Sequence, residues 1–400
     1  MTTERKRIGL FVTGEPYMGG KWQYIGFLLD ALYSLREKYE IFIIHLYNEP
    51  QWEDVCLLYG FREAAIAKTG FGPFNIQHGI DALKCDLILD SIPNWTCGIV
   101  DTPVVSIVHD LMHKYEHFSE LSSVQTERER LYRCIAKHAF AIFVDSPLGK
   151  QQFVECYGNI MRGTIFEMPF RVPDYLLNAI GCPVRSGRGS YIFYPAQFWE
   201  HKNHEGLVRA AHKLREEEGL LIKLVFVGSE KNNYERIISL INELRMESQV
   251  EIKGYVTESE MCELYQGARA MMMASFLGPT NIPPLEAMAT GCPCAVADVY
   301  AMPWQIGDAG LRFNPRSVDS IAVVMKRLWT DDVLCDTLSK RGIERVNAYF
   351  SKEAFEKRFA EAISVAIKNV SLYKNHKIKK VMGNFIILGR SIFKEFFKWS

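Results

Sequence analysis

Several short patterns that often mark function are absent from this chain of 400 residues. It contains no C-x-x-C pair, and its ten cysteines are scattered along the chain, which argues against a disulfide framework or a cysteine zinc site. It also contains no D-x-D, a pair of carboxylates that commonly clamps a divalent metal ion. The sequence therefore predicts reduced thiols and no metal site.

The chain also lacks the segments that carry a protein into or across a membrane. No stretch of 18 residues stays free of charges and polar breaks, so none is long enough to span a bilayer. The N-terminus, MTTERKRIGLFVTG, enters an apolar, strand-like run within eight residues and shows neither a long apolar h-region nor a small-residue cleavage pattern. We therefore expect a cytoplasmic protein without transmembrane segments.

Apolar residues and a charged tail are what the sequence does have. With 48% hydrophobic and 12% aromatic content, a chain of this length can bury a large core and usually divides into two domains. The formal net charge is zero, but residues 371–400 carry a charge of +6 and the remainder −6. The charge is therefore distributed unevenly along the chain.

Short apolar runs alternate with helical segments, which predicts an α/β fold with parallel sheets. The break in the alternation, rich in proline, glycine and serine at 173–189, predicts a linker between two Rossmann-like domains at 1–172 and 190–350. Ten runs are predicted to form strands: 8–13, 41–47, 85–90, 104–110, 139–146, 191–196, 222–229, 250–256, 268–275 and 293–299. Ligands of such sheets bind beyond the carboxyl ends of the strands, so the loops there should hold the site.

Two loops of the first half contain candidate site residues. GEPYMGGKW follows the first run, and Gly19 and Gly20 would let the backbone approach a ligand before a helix that starts near Lys21; an ordinary turn is the alternative. HDLMHKYEH follows the fourth run and spaces His109, His113 and His117 like zinc ligands on one helix face. Against zinc, His109 is placed at a strand end.

Two loops of the second half are more informative. Lys202 lies just before a helical stretch beginning near His204; it could contact a phosphate, or it could be a solvated lysine at a helix start. In GPTNIPPLEAMATGCP the two prolines begin a helix of about two turns, with Glu286 expected in its first turn, and Gly291 ends it. That N-terminus, preceded by Thr280 and Asn281, could bind a phosphate or could be an ordinary cap.

These segments, in this order and spacing, resemble the second domain of family 4 retaining glycosyltransferases. The resemblance rests on YPAQFWEHKN, IKGYVTESEMCELYQGARAMMMAS, GPTNIPPLEAMATGCP and GDAGLRFNP; it is strong over about 190–350 and weaker over 8–150. It implies the GT-B fold, in which two Rossmann-like domains face each other across a cleft. It also implies a nucleotide diphosphate sugar as donor substrate.

The resemblance implies a role for each candidate residue. Lys202 would contact the diphosphate, Glu286 the ribose hydroxyls, and His109 the sugar. Gly19 and Gly20 would approach the diphosphate or the acceptor. The three-residue segment from Gly254 would flank the base, and the N–H groups near Asn281 would face the distal phosphate. The remaining candidates, which would surround the donor, are Gln197, Gly254, Tyr255, Val256, Thr280, Asn281 and Ile282.

The chain departs from the family pattern at two positions. The glutamate that family members often have eight residues before Glu286 is replaced by Gly278, and the arginine often found five residues before Lys202 is replaced by Gln197. We interpret the G-P-T-N form as a subgroup signature that lacks the first glutamate of the E-x7-E motif. A retaining transfer can use the departing phosphate to take the acceptor proton, so we expect catalysis without a carboxylate pair, a metal ion or another cofactor.

The chain ends in two segments with separate predictions. Residues 351–370 resemble the closing helix of the family, which returns to the first domain. Residues 371–400 have apolar residues at helical spacing among basic ones, which predicts a helix at an anionic membrane surface; packing on its own domain or on a second subunit is the alternative.

Three function classes remain open at this stage. The first is a hexosyltransferase at the cytoplasmic face of a membrane, acting on a lipid-linked or polysaccharide acceptor. The second is a sugar-nucleotide isomerase (epimerase) of the same fold, and the third is a non-catalytic scaffold that binds sugar nucleotides. We expect no nucleic-acid partner in any of them.

Overall fold

The structure of the protein is a computed structural model. It describes residues 5–14, 16, 19–66, 73–115, 118, 124–179, 189–278 and 280–372. The strands are β1 Arg7–Phe11, β2 Glu40–Leu46, β3 Arg62–Ile66, β4 Leu87–Asp90, β5 Val104–Val108, β6 Ala141–Val144, β7 Thr164–Glu167, β8 Ile192–Pro195, β9 Leu224–Val227, β10 Val250–Lys253, β11 Ala270–Met273, β12 Cys294–Ala297 and β13 Gly310–Phe313.

The α-helices are α1 Gly19–Ser34, α2 Trp52–Tyr59, α3 Pro73–Ala82, α4 Thr96–Ile99, α5 Met112–Tyr115, α6 Gln125–His138, α7 Pro147–Tyr157, α8 His204–Glu218, α9 Tyr234–Glu243, α10 Glu258–Gly267, α11 Ile282–Ala289, α12 Met302–Ile306, α13 Val318–Thr330, α14 Asp332–Arg345 and α15 Lys352–Asn369. Short 3-10 segments lie at Asp174–Ala179, Glu200–Lys202 and Val370–Leu372, and a π-helical turn at Val346–Phe350.

The described residues form two compact units. The first contains those of 1–113 and 123–168 together with those from Phe355 onward. The second contains those of 114–122 and 169–354. Each unit has its own sheet.

The first unit is built on a seven-stranded parallel sheet in the order β3-β2-β1-β4-β5-β6-β7. Its central strands are apolar without alternation; β5 reads VVSIV and is buried at every position. Strands covered by helices on both faces need such sequences, whereas a half-exposed strand would alternate. Helix α15, from the end of the chain, packs within this unit: the rings of Phe355 in α15 and Phe27 in α1 have centroids 5.9 Å apart.

The second unit repeats the arrangement with six parallel strands in the order β10-β9-β8-β11-β12-β13. Its core contains the buried strands LVFV, AMMM and CAVA and the inner faces of α8, α11 and α13. Taken from the first strand of each unit, the leading six strands of both sheets follow the order 3-2-1-4-5-6, which is that of the dinucleotide-binding Rossmann fold. The predicted α/β class is therefore confirmed in both halves.

Each of the ten predicted runs contains a strand, but three strands were not predicted. These are β3 (REAAI), β7 (TIFE) and β13 (GLRF), and all three lie at an edge of their sheet. An edge strand has one neighbour and more exposed positions, so its sequence does not need the continuous apolar run of a central strand. The fourth edge strand, β10, was predicted although it reads VEIK.

Two predicted domain boundaries need correction. Residues 174–179 are not part of a linker but form a 3-10 helix of the second unit, because the apolar Leu176 is fully buried and Tyr175 bonds Glu286. Tyr115 and Phe118, placed in the first domain by sequence, belong to the second unit. The Phe118 ring stacks on that of Phe276 with centroids 5.9 Å apart.

The end of the chain is described only in part. Helix α15 spans Lys352–Asn369, and its Phe359 ring lies 6.0 Å from that of Phe143 in the first unit. Residues 373–400, which contain most of the predicted membrane-surface segment, lie outside the described residues. Among the helices that are described, none combines the length and the apolar composition needed to cross a bilayer.

Candidate active site

The loops at the carboxyl ends of β8 and β11 are tied to each other at the point where the strand order of the second sheet reverses. The N–H of Phe276 donates to the carbonyl of His201 at 2.8 Å, and the side chain of Asn203 donates to the carbonyl of Ala274 at 3.1 Å. Such reversal points are where open α/β sheets bind ligands, because the loops on either side diverge there. This places Lys202 in the candidate site.

Asn203 sets the backbone that presents Lys202. Its φ of 56° is left-handed, a conformation that asparagine tolerates better than most residues. Its side chain accepts from the N–H of Gly206 at 3.1 Å, capping α8, and donates to the carbonyl of Pro315 at 2.9 Å. The next residue, His204, is fully buried, and its ring stacks on that of Phe198 with centroids 4.4 Å apart, which fixes the end of the loop.

Lys202 is not the solvated lysine of the alternative interpretation. Its side chain is partly buried, and burial lowers the pKa of its ammonium group to about 8. Within the described part of the chain no carboxylate forms an ion pair with it. A desolvated cation without a partner near a helix N-terminus is electrostatically suited to an anion such as a phosphate.

Helix α11 begins at Ile282, as the prolines predicted, with Asn281 as its N-cap residue in extended conformation. The N–H of Asn281, however, does not face outward: it donates to Oε1 of Gln305 at 2.9 Å, and Nε2 of Gln305 donates to the Asn281 carbonyl at 2.6 Å. The predicted role of the Asn281 N–H toward a phosphate therefore needs correction. Because prolines follow at 283 and 284, Ile282 carries the first N–H of the helix that can reach a ligand.

The glycine at the departure from the family pattern has little room for a side chain. A Cβ atom added to Gly278 would lie 2.5 Å from Nδ2 of Asn281. The Asn281 amide therefore occupies the space next to position 278, and the two positions are sterically linked. Thr280, between them, is buried.

The prediction that Glu286 lies in the first turn of α11 is wrong, because Glu286 is the fifth residue of that helix. Its side chain is buried, with 5% of the residue exposed. Its Oε1 accepts from the hydroxyl of Tyr175 and its Oε2 from that of Tyr265, each at 2.6 Å. Burial raises the pKa of Glu286, while both hydroxyls oppose the rise because they bond the ionised form. Glu286 is therefore a buried acceptor of two hydrogen bonds and not a residue at the start of the helix.

The segment predicted to flank the base follows β10, and Gln197, predicted near the phosphates, follows β8 in the same unit. Tyr255 is 94% exposed, and Gly254 is exposed beside it, while Val256 packs partly against the core. Gln197 is exposed, and its Oε1 accepts from the indole N–H of Trp199 at 2.9 Å. A freely accessible aromatic ring at this edge is available for stacking.

In the first unit, His109 follows β5 and packs against Tyr24 of α1, with ring centroids 4.6 Å apart. Burial lowers the pKa of His109 to about 4, so its imidazole is neutral at pH 7. Gly19 and Gly20 are the first two residues of α1, not part of the loop before it, so the helix starts earlier than predicted.

The described residues contain no group of three or more histidine, cysteine, aspartate or glutamate side chains that could hold a metal ion. His117, the third histidine of the zinc alternative, lies outside them. His113 is buried beside Tyr132, and its Nε2 lies 3.5 Å from Oε2 of Glu129.

Sequence reasoning missed Tyr175, Tyr265 and Gln305, because nothing in their local sequence indicates their partners.

Comparison with protein families matches residues 184–345 to the Glycosyl transferases group 1 model. Among curated proteins, the chain is 28% identical to O-antigen chain mannosyltransferase B of Escherichia coli over 159 residues, which are 40% of this chain and 42% of that protein. The match therefore spans less than half of the length of that relative.

Solved structures resemble nearly the whole chain. Sucrose-phosphate synthase from Thermosynechococcus elongatus has a TM-score of 0.66 at 19% identity, covering 90% of this chain and 99% of that one. Anabaena HepE in complex with UDP-glucose has a TM-score of 0.68 at 14% identity, with coverages of 90% and 99%. The likeness establishes the fold: both halves are Rossmann-like, as in GT-B glycosyltransferases.

Proposed function

We propose that this protein is a family 4 retaining glycosyltransferase that moves a hexosyl group from a nucleoside diphosphate sugar to a saccharide acceptor. The observation that carries the proposal is Lys202, a partly buried ammonium at the reversal point of the second sheet, for which the described residues offer no carboxylate. It lies within the segment that matches the Glycosyl transferases group 1 model. A diphosphate would supply the missing negative charge.

Most of the proposed contacts with the leaving group come from the second unit. Lys202 and the N–H of Ile282 would bind the diphosphate, Glu286 the ribose hydroxyls, and the edge at Gly254–Val256 the base. As the bond between the anomeric carbon and the phosphate oxygen breaks, negative charge grows on the diphosphate. A cation fixed beforehand stabilises that charge without reorganisation, and removing such a contact typically costs about 3 kcal/mol of barrier.

The remaining chemistry is proposed on the basis of the resemblance. The acceptor oxygen would form its bond on the face from which the diphosphate leaves, and its proton would pass to the departing phosphate oxygen. This step requires no protein carboxylate to take the proton and no metal ion to hold the leaving group. The contacts of His109, Gly19 and Gly20 with sugar, diphosphate or acceptor stay predictions, with His109 acting as a neutral imidazole.

The relatives suggest where to begin the search for substrates. One is named an O-antigen mannosyltransferase, and a structural neighbour was solved with UDP-glucose. We therefore propose uridine or guanosine as the base, mannose and glucose as the first sugars to try, and a lipid-linked or cell-surface polysaccharide precursor as the acceptor.

Binding and turnover test the proposal separately. Thermal unfolding with UDP, GDP, ADP and CDP should show stabilisation by one of the first two, since a ligand at 100 times its Kd stabilises by about 2.7 kcal/mol. Transfer from the corresponding sugar nucleotide, followed by NMR of the product anomer, should then show retained configuration. Activity should persist in EDTA, and a strict requirement for added divalent metal would contradict the mechanism.

The same assay decides between the function classes. A transferase releases the sugar onto an acceptor, whereas an isomerase changes the sugar nucleotide with no acceptor present. A scaffold binds the nucleotide and turns nothing over.

A further inference from the structure

Three elements of the second unit meet at the carboxylate of Glu286. Glu286 itself is on α11, Tyr265 is on α10, and Tyr175 is on the 3-10 helix Asp174–Ala179. The Tyr175 hydroxyl donates to Oε1 and the Tyr265 hydroxyl to Oε2, both at 2.6 Å. Each oxygen is therefore held by a different element.

The two tyrosines are anchored independently. Tyr265 is fully buried, and its hydroxyl also lies 3.4 Å from the Pro283 carbonyl in the first turn of α11. Tyr175 is carried by a segment that the fully buried Arg171 fastens, through bonds of 2.8 and 2.9 Å to the two carboxylate oxygens of Asp174. With a fixed donor on each oxygen, the carboxylate cannot rotate without losing one of the two bonds.

This arrangement leaves part of the carboxylate unused. An ionised carboxylate has about four acceptor positions on its two oxygens, and each tyrosine takes one of them. One position per oxygen remains, which matches two neighbouring hydroxyl groups.

On the basis of the proposed function, we infer that Tyr175 and Tyr265 are positioning residues for the donor. They hold the carboxylate of Glu286 so that each oxygen presents its remaining acceptor position to one hydroxyl of the ribose. Neither tyrosine touches the donor; both act through Glu286.

The competing interpretation is that the tyrosines merely satisfy a buried carboxylate. Both interpretations predict lower stability when a hydroxyl is removed, so stability does not separate them. What separates them is recognition of the ribose hydroxyls, which only a positioning role would alter. The measurement must therefore compare nucleotides with and without those hydroxyls.

The experiment uses the full chain and calorimetric Kd values for UDP and GDP. Whichever binds more tightly to the wild type is then compared with its 2′,3′-dideoxy counterpart. Tyr175→Phe and Tyr265→Phe each remove only a hydroxyl group, and Tyr175 is only partly buried, so its variant is the milder one for folding. Tyr191→Phe is the matched control, because the Tyr191 hydroxyl donates to the Leu264 carbonyl at 2.7 Å and not to Glu286.

The wild type should bind the dideoxy nucleotide at least about tenfold more weakly, as expected for loss of hydrogen bonds to a charged group. Each of the two phenylalanine variants should reduce this ratio to about threefold or less, as should Glu286→Gln, while Tyr191→Phe keeps the wild-type ratio. An unchanged ratio in both Tyr175→Phe and Tyr265→Phe would overturn the inference.

Different results would contradict the proposed function and the positioning role of the tyrosines. If the wild type binds neither diphosphate, the proposed function and this inference fall together. If it binds one of them but does not distinguish the dideoxy nucleotide, the diphosphate proposal stands and the inference is wrong.

Discussion

At the scale of single residues, Lys202 and Glu286 are opposite cases of buried charge. Glu286 has two hydroxyl donors inside the protein, whereas in the described residues Lys202 has no carboxylate partner. A buried charge is tolerated when it is paired, so an unpaired one indicates a ligand that the protein is prepared to receive.

We predict that Lys202→Met weakens diphosphate binding by about ten- to a hundredfold, the loss expected for a charged hydrogen bond. Stability without ligand should be unchanged or higher, because a desolvated charge is removed. Lys223→Met is the matched control: Lys223 pairs with Glu251 and directly precedes β9, so it lies at the amino ends of the strands, away from the site. Equal affinities of both variants for the diphosphate would contradict the role of Lys202.

The lowered pKa of Lys202 also predicts a pH dependence. Between about 8 and its ordinary value of 10.5, the unfolded chain keeps the proton while the folded protein has lost it, so the Lys202 contribution to stability rises with pH there. Diphosphate affinity should fall as pH rises above about 8, because the free ammonium group is lost. Lys202→Met should flatten both trends in parallel titrations.

The steric link between positions 278 and 281 predicts a coupled pair of substitutions. Gly278→Ala would bring its Cβ to 2.5 Å from the Asn281 amide, so the amide must move. We expect Gly278→Ala to cost about 1–3 kcal/mol of unfolding free energy, and much less when Asn281→Gly is already present. A denaturant-based double-mutant cycle measures this coupling, and strict additivity would show that the two positions are independent.

At the scale of elements, α11 is the helix that the site depends on, and α12 sets where it begins. The side-chain amide of Gln305 pairs with both backbone groups of Asn281, and the Gln305 carbonyl accepts from Nε of Arg345 at 2.7 Å. The N-terminus of α11 is therefore held by a chain of contacts that runs through α12 to the end of α14.

We predict that Gln305→Leu lowers the free energy of unfolding by about 2–4 kcal/mol, because it removes the two hydrogen bonds between the Gln305 side chain and the Asn281 backbone. It should also weaken diphosphate binding several-fold, because Ile282 and the start of α11 are no longer fixed. Gln249→Leu is the control: Gln249 is also buried and donates to the Ile222 carbonyl at 3.0 Å, at the other end of the strands. If both variants lose stability but keep wild-type affinity, Gln305 does not position the site.

At the scale of the whole molecule, two sheets with one strand order carry different kinds of residues at their carboxyl ends. The candidate site residues of the second unit include Lys202, Glu286 and the exposed Tyr255, whereas those of the first are the neutral His109 and a glycine pair. This asymmetry favours the second unit as the one that binds a diphosphate. Fold alone would not distinguish the units, because both have the Rossmann strand order.

The tail at 371–400 carries a prediction from charge alone. With a charge of +6, and about 1 kcal/mol per basic residue near an anionic surface, the full chain should co-sediment with phosphatidylserine vesicles and dissociate as salt is raised. A chain ending at Val370 should lose vesicle binding and keep diphosphate binding. Replacing Lys379, Lys380 and Arg390 by glutamine in the full chain should weaken vesicle binding and leave diphosphate binding unchanged. Aggregation or loss of diphosphate binding on truncation would indicate that the tail belongs to the fold or to a subunit interface.

The sequence by itself determined the features whose causes are local. Buried central strands need continuous apolar runs, so all nine of them could be predicted. Pro283, Pro284 and Gly291 set the limits of α11, with Gly291 in the left-handed conformation at φ 71°. Lys202 could be proposed as a site residue because a cation at a helix start is unfavourable without an anion.

Only the tertiary structure decided which polar groups meet. Tyr175 lies 111 residues from Glu286 in the chain, Tyr265 lies 21 away, and Gln305 lies 24 from Asn281. Such contacts follow from strand order and helix packing, and no local periodicity or capping pattern encodes them. For the same reason the apparent linker turned out to carry Tyr175, and Glu286, assigned by sequence to the first turn of a helix, became a buried acceptor.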